Sequence, residues 1–166
     1  MYKIQNLSGS GCSNDNCVDS CEEDWEANGD HCYLWSTDKK TWTDAEDFCR
    51  KEGGHLASVH SNATFAFVLE GMNRTGLDDA WMGGNDIEQE GVWKWTDCTP
   101  WEDTFWSSRW GEPNNLGGED CLEIWNRDWK WNDWKCSVEQ GFVCSKKICS
   151  GRIYEPFKKR YTCGRR

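Results

Sequence analysis

The stretch WGEPNNLGGEDC, residues 110–121, gathers three carboxylates and two asparagine amides around one proline on a glycine-rich loop. So many hard oxygen donors have three chemical uses: a solvated acidic turn, a pair of catalytic carboxylates, or a cage for a hard cation. Glu112, Asn114 and Glu119 offer three side-chain ligands from this segment, and Asn132 and Asp133 add two more. Calcium takes six to eight oxygen ligands with flexible geometry, and three carboxylates around it leave a site charge of about −1. The set holds no nitrogen or sulfur ligand of the kind zinc prefers. A glycosidase also sets two carboxylates beside a sugar. Glu112 and Glu119 held by a cation, however, stay ionised and lack the proton a general acid must give. No Ser/His/Asp or Cys/His arrangement offers another route, so the sequence describes a binding protein rather than an enzyme. His31, His55 and His60 lack metal-ligand spacing and take ordinary surface or core roles.

A chain of 166 residues suits one domain with appendages. Eleven cysteines indicate an oxidising compartment and a disulfide framework, so the protein is expected to be secreted. Acceptor triplets at Asn6, Asn62 and Asn73 agree with a secreted glycoprotein. No run of apolar residues is long enough to span a membrane, and no cleavable leader is visible in this chain. The formal charge of −10 is uneven, with +7 from Lys146 onward and −17 before it. An acidic body excludes a nucleic-acid binder, whose phosphate contacts need a basic face. The basic tail reads as solvated, as does the acidic surface of Asp15, Asp19 and residues 22–24.

The elements that must carry the oxygen-rich loop follow from periodicity. Residues 1–20 form a polar extension with Cys12 and Cys17, and 146–166 a basic tail; the domain lies between, over 21–145. HCYLWS predicts a strand with Tyr33 and Trp35 on one face. TWTDAEDFCRKEGG predicts a helix with a capping box of Thr43 and Glu46, a face of Ala45, Phe48 and Cys49, and an end at Gly53–Gly54. Ser61 is placed to cap a second helix, with Phe65, Val68, Leu69 and Met72 as its buried stripe. Short strand patterns follow from residue 80 (AWMGG, GVWKWT, CLEIW, WKWN and GFVCSK), whereas 96–120 has no regular pattern. Two helices followed by several strands indicate an α+β domain.

CEEDWEANGDHCY, the helix bearing Cys49, WMGG at 81–84 and the ordered run EPN, EDC, WND and FVC together resemble a C-type lectin-like domain of the long form. The resemblance covers Cys21 to Cys144, about three quarters of the chain. It implies the C-type lectin-like fold: two helices flanking small antiparallel sheets, with a long calcium-binding loop region. It also implies the disulfides Cys21–Cys32, Cys49–Cys144 and Cys121–Cys136, and a cis peptide before Pro113. Cys12, Cys17, Cys98, Cys149 and Cys163 remain. Cys12–Cys17 can close a local loop and Cys98 can reach the tail, while the odd count leaves one thiol either for an intermolecular bridge, and so a disulfide-linked homo-oligomer, or as a free or trimmed cysteine.

By resemblance, Glu112, Asn114, Glu119, Asn132 and Asp133 hold calcium and sugar together. Carboxylates accept hydroxyl protons and asparagine amides donate to hydroxyl oxygens. EPN goes with equatorial 3- and 4-hydroxyls, as in mannose, glucose, N-acetylglucosamine and, in related geometry, fucose; galactose-binding members carry QPD. An auxiliary calcium site maps onto Asp86, Glu90, Asn115 and Asp120. The implied function is calcium-dependent binding of mannose- or fucose-type glycans on cells or microbes, in innate immune recognition. Related domains bind ice, mineral or protein instead, and that is the alternative.

Three features depart from the family pattern. Gly84 stands where a larger apolar residue is usual, which predicts a looser core; the loop between Cys121 and Cys136 is long and tryptophan-rich; and Cys98 sits where many members have glycine. Trp81, Trp93 and Trp95 read as core, and Trp131 as packing beneath the loop. Trp125, Trp129 and Trp134 crowd beside the site, where they either meet sugar or protein or pack within their loop. Leu116 is placed to brush the sugar.

Overall fold

The computed structural model describes residues 17–149. Its elements, in chain order, are β1 (Cys17–Val18), β2 (Glu26–Asn28), β3 (His31–Lys40), α1 (Trp42–Lys51), β4 (His55–Leu56), α2 (Asn62–Thr75), β5 (Ala80–Asn85), β6 (Lys94–Trp95), β7 (Cys121–Trp125), β8 (Lys130–Trp134) and β9 (Gln140–Ile148). The α+β class is as expected. The small sheets fuse into one mixed sheet because the last strand, β9, inserts between β3 and β5, antiparallel to one and parallel to the other. The main strand order is β2-β3-β9-β5-β7-β8.

The central strands are buried on both faces, and side-chain alternation divides their residues between two clusters. Tyr33, Trp35, Ala80, Met82, Leu122, Ile124 and Val143 face one cluster, which α2 covers with Phe65, Val68 and Met72. Cys32, Trp81, Cys121, Phe142 and Cys144 face the other, which α1 covers with Trp42, Ala45 and Cys49. The half-cystines of the central strands therefore lie on one face. Cys49–Cys144 and Cys121–Cys136 form there, alongside Cys21–Cys32.

Ser61 caps α2 by accepting the Thr64 N–H at 3.1 Å, and Gly76 ends the helix in the left-handed conformation. Gly71 has to be glycine because the Trp35 ring would lie 2.0 Å from a Cβ there. The α1 capping differs from expectation. Thr41, not Thr43, is the N-cap: its hydroxyl oxygen accepts the Asp44 N–H at 3.2 Å while its proton goes to the Asp44 carboxylate. Glu46 is thereby free to turn inward, where it accepts the Leu56 N–H at 2.9 Å and meets His55 Nδ1 at 2.6 Å, tying β4 to α1. His31 pairs with Asp30 and His60 with Thr99, in line with their ordinary roles.

The expected local Cys12–Cys17 loop does not form. Cys17 bonds Cys149 instead, because β1 pairs in parallel with the end of β9 and brings the two together. Cys98 is also disulfide-bonded, and Cys12 and Cys163 lie outside the described residues. Nor does Gly84 loosen the core: a Cβ there would meet Leu122 at 2.9 Å and Trp101 at 3.0 Å, so the indole of Trp101 occupies the space.

Candidate functional site

Between β6 and β7 the chain runs from 96 to 120 with a single isolated bridge, Trp106 to Trp131 on β8. Aromatic packing replaces the missing sheet. Trp131 is fully buried, with Trp95 at 5.5 Å, Trp101 at 5.5 Å and Trp106 at 5.6 Å between ring centroids. Trp131 thus packs beneath the loop, Trp81 and Trp95 are core, and Trp93 is half-buried against Trp106. The Ser107 N–H donates to the Trp131 carbonyl at 2.9 Å, and the Glu112 N–H to the Ser107 carbonyl at 3.0 Å. The Ser107 hydroxyl also donates to Asp128. These bonds fasten the approach to Glu112 onto β8, one residue before Asn132.

The peptide between Glu112 and Pro113 is cis. Beyond it, Asp133 is the hub: one carboxylate oxygen accepts the Asn114 N–H at 3.0 Å and the other the Asn115 N–H at 2.6 Å. The Leu116 N–H donates to Asn114 Oδ1 at 2.8 Å and to Glu119 Oε2 at 3.1 Å. Gly117 and Gly118, both at φ +84°, turn the chain back toward Glu119, whose N–H donates to Asn115 Oδ1 at 2.8 Å. Asn114, Glu119 and Asp133 are thereby joined on one rim, with Glu112 beside Asp133, and Asn132 precedes Asp133 on β8. Leu116 stands 74 % exposed beside them.

Asp86, Glu90 and Asp120 also come together, each offering an oxygen within 4.8 Å of the others. The Asn115 amide donates to Glu90, which joins the two groups. Asp86 accepts the Gly91 N–H at 2.7 Å through one oxygen, while the other is buried without a partner.

Both groups are electrostatically uncomfortable by themselves. Burial first, then the Asp133 and Glu119 carboxylates, push Glu112 up to about 7, and its Oε2 is buried without a hydrogen bond. Burial and Asp133 raise Glu119, against the opposing pull of the Leu116 N–H and Lys135. Burial and the neighbouring Asp120 and Asp133 raise Asp86. Crowded carboxylates with buried, unpartnered oxygens and all-oxygen chemistry fit a hard divalent cation.

Asn132 is supported by a residue the motif does not include. Its amide donates to Glu123 Oε1 at 2.8 Å, and the Gln140 amide donates to Glu123 Oε2 at 2.7 Å, all three side chains being buried. Burial lifts Glu123 to about 7, against the effect of the two amides. The signal was present in CLEIW, as one charge inside an otherwise apolar strand.

Residues 38–146 match the family described as the Lectin C-type domain. The chain belongs to the C-type lectin domain family. It is 39 % identical over 131 residues to a "C-type lectin mannose-binding isoform" of Oxyuranus scutellatus, covering 75 % of this chain and 82 % of that one. It is 36 % identical over 129 residues to "C-type lectin domain family 4 member M" of Hylobates lar, covering 76 % of this chain but only 31 % of the relative, so it spans about a third of that protein's length. Among solved structures it resembles the mouse scavenger receptor C-type lectin carbohydrate-recognition domain, with TM-score 0.70, 32 % identity and 77 % of this chain against 97 % of that one. It also resembles the herring type II antifreeze protein, with TM-score 0.72, 29 % identity and 77 % against 99 %. Domains of this family generally bind calcium, are in general non-enzymatic, and are mostly extracellular or displayed at the cell surface. Among the described residues no helix is long and apolar enough to cross a membrane.

Proposed function

We propose that residues 21–145 form a secreted, calcium-dependent carbohydrate-recognition domain for mannose-, fucose- or N-acetylglucosamine-type glycans. The observation that carries this reading is the rim itself: Asp133 binds the backbone of Asn114 and Asn115 beside Glu112, whose buried oxygen has no partner. Glu112, Asn114, Glu119, Asn132 and Asp133 would hold the principal calcium, and Asp86, Glu90, Asn115 and Asp120 an auxiliary one. The principal ion would supply a Lewis acid for the lone pairs of vicinal 3- and 4-hydroxyls. Glu112 and Glu119 accept the hydroxyl protons, and the Asn114 and Asn132 amides donate in return. Asn132 commits one amide proton to Glu123, which keeps its second proton for the sugar.

Asn62 and Asn73 are exposed on α2 and available to glycosylation, whereas Asn6 lies outside the described residues. Single-site affinity in so open a site is low, so avidity from oligomers matters. The odd cysteine count supports a disulfide-linked oligomer; a non-reducing gel showing only monomer contradicts it.

Calorimetric titration of mannose and galactose, first with calcium and then with excess EDTA, tests the function. Mannose heat that vanishes with EDTA supports it, and galactose preference overturns the hydroxyl code. The structural likeness to an antifreeze protein and to human lithostathine favours a second reading, a non-sugar ligand on the same fold. Silence to both sugars, with thermal hysteresis or inhibited crystal growth, selects that reading.

A further inference from the structure

A cavity of about 240 Å³ lies where β7 and β8 meet the start of β9, with Glu123, Gln140 and Trp134 in its wall. We propose that this cavity binds a small organic cation of the quaternary-ammonium class, through contacts that need neither calcium nor sugar.

The charge of the lining is the first observation. Asp79, Glu123 and Glu139 face a single cation, Lys39. None of the four makes an ion pair among the described residues. Glu123 is only 3 % exposed, so part of this negative field comes from a wall that water does not screen. Asp79 and Glu139 outweigh Lys39 even where Glu123 carries a proton.

The aromatic content is the second. Trp125 and Trp134 both line the cavity. Cys121 lies opposite Trp134 and Glu123 opposite Asn132. Directly opposed residues of an antiparallel pair share a face, and so do alternate residues of one strand. Trp134, Glu123 and Trp125 therefore rise from one side of the ribbon. Trp125 already receives a cation, since the Arg127 guanidinium stacks 4.4 Å from its centroid. Trp134 has no ring or cation contact among the described residues and stays 37 % exposed, so its ring is open to a ligand. Trp129 has a comparable exposure but does not line the cavity.

Hydrogen bonding selects the kind of cation. Glu123 accepts the Asn132 amide on one oxygen at 2.8 Å and the Gln140 amide on the other at 2.7 Å. Asp79 Oδ1 accepts the Asn126 N–H at 2.9 Å. A primary ammonium or a guanidinium brings several N–H donors that need free, converging acceptors. A quaternary ammonium brings no donor and asks only for an aromatic face and negative charge. The neighbouring hollow of about 300 Å³ lacks both: it balances Lys39, Lys40 and Lys51 against Asp44, Asp47 and Glu139, and no indole lines it.

The test is an NMR titration of the isotope-labelled full chain with choline chloride, in EDTA and at constant ionic strength. The Trp134 indole resonance should shift saturably, with a dissociation constant in the millimolar range or tighter. The neutral alcohol in which a tert-butyl group replaces trimethylammonium should bind about tenfold more weakly. Methylammonium and guanidinium should also bind more weakly than choline. Trp134→Ala should weaken choline about five- to tenfold, Trp134→Phe should keep most of the affinity, and Glu139→Gln should cost about two- to threefold. Choline-sensitive sedimentation with phosphatidylcholine vesicles assigns the cation to a lipid headgroup, and choline binding without it assigns a free solute; both support the site. No saturable shift, equal binding of the neutral isostere, tighter binding of guanidinium, or a Trp134→Ala without effect overturns it. Because calcium is absent throughout, these outcomes are independent of the sugar titrations above.

Discussion

The frame built on β3 and β9 and the loop region from 96 to 120 are made by different means. In the frame, Cys32 to Ser36 pair residue by residue with Lys146 to Phe142, apolar side chains fill both faces, and Cys49–Cys144 closes a 95-residue separation. In the loop region, hydrogen bonds run largely from backbone N–H groups to carboxylates and amides, above a floor of indoles packed edge-to-face and tilted around Trp131. Apolar burial and crosslinks stabilise whatever the solution holds. Crowded carboxylates cost free energy until something positive meets them. One half of the molecule is held by burial and crosslinks; the other brings carboxylates together and leaves buried oxygens of Glu112 and Asp86 without partners.

The contrast can be broken from the frame side first. Replacing Cys49 and Cys144 together with alanine should lower stability by about 4–5 kcal/mol, equally in calcium and in EDTA, as read by denaturant unfolding. Trp131→Ala should cost about 3–5 kcal/mol and, because the loop rests on this residue, should also weaken sugar binding. Glu112→Gln does the reverse: calcium affinity should fall by about tenfold or more while the melting temperature in EDTA holds or rises, because it removes one of the crowded carboxylates and no hydrogen bond to Oε2 is lost. Asn114→Asp is narrower still. It keeps a metal ligand but turns an amide donor into an acceptor, so mannose binding should be lost with calcium binding retained.

The smallest effect is a pH dependence of opposite sign with and without cation. Glu112 sits at about 7 in the folded protein against an ordinary 4.5, so the folded state holds that proton more tightly than the unfolded chain. The stability this contributes is complete below the unfolded value and is lost as pH rises through about 7. In EDTA the melting temperature should therefore rise as pH falls from about 8 to about 5.5. In calcium it should fall over the same range, because protons compete with the ion for the same oxygens.

Which parts of this were legible in the sequence depends on the range of the interaction. The Ser61 cap, the strand CLEIW and the α2 stripe of Phe65, Val68 and Met72 follow from local periodicity and appear as expected, while Leu69 is only half-buried at the edge of the core. The α1 cap was misplaced because Thr41 and Thr43 both precede an acidic residue at the right spacing; burial of Trp42 and the recruitment of Glu46 by β4 decide between them. The Cys17–Cys149 pairing depends on a parallel contact between β1 and β9, 132 residues apart, which no local pattern encodes. Glu112, Asn114, Glu119, Asn132 and Asp133 stand out as proposed ligands because their residue types and spacing resemble a known motif. Glu123, Gln140 and Ser107, which hold that group in place, were not, since each acts through a partner distant in sequence.

Hydrogen–deuterium exchange under three conditions, with EDTA, with calcium, and with calcium plus mannose, tests most directly whether the loop region is a calcium-ordered sugar site on an autonomous frame. Residues 107–120 and 130–135 should gain protection with calcium and gain more with mannose, while β3 and β9 stay equally protected throughout. Calcium-independent exchange across 107–120, or mannose protection that persists in EDTA, contradicts the account.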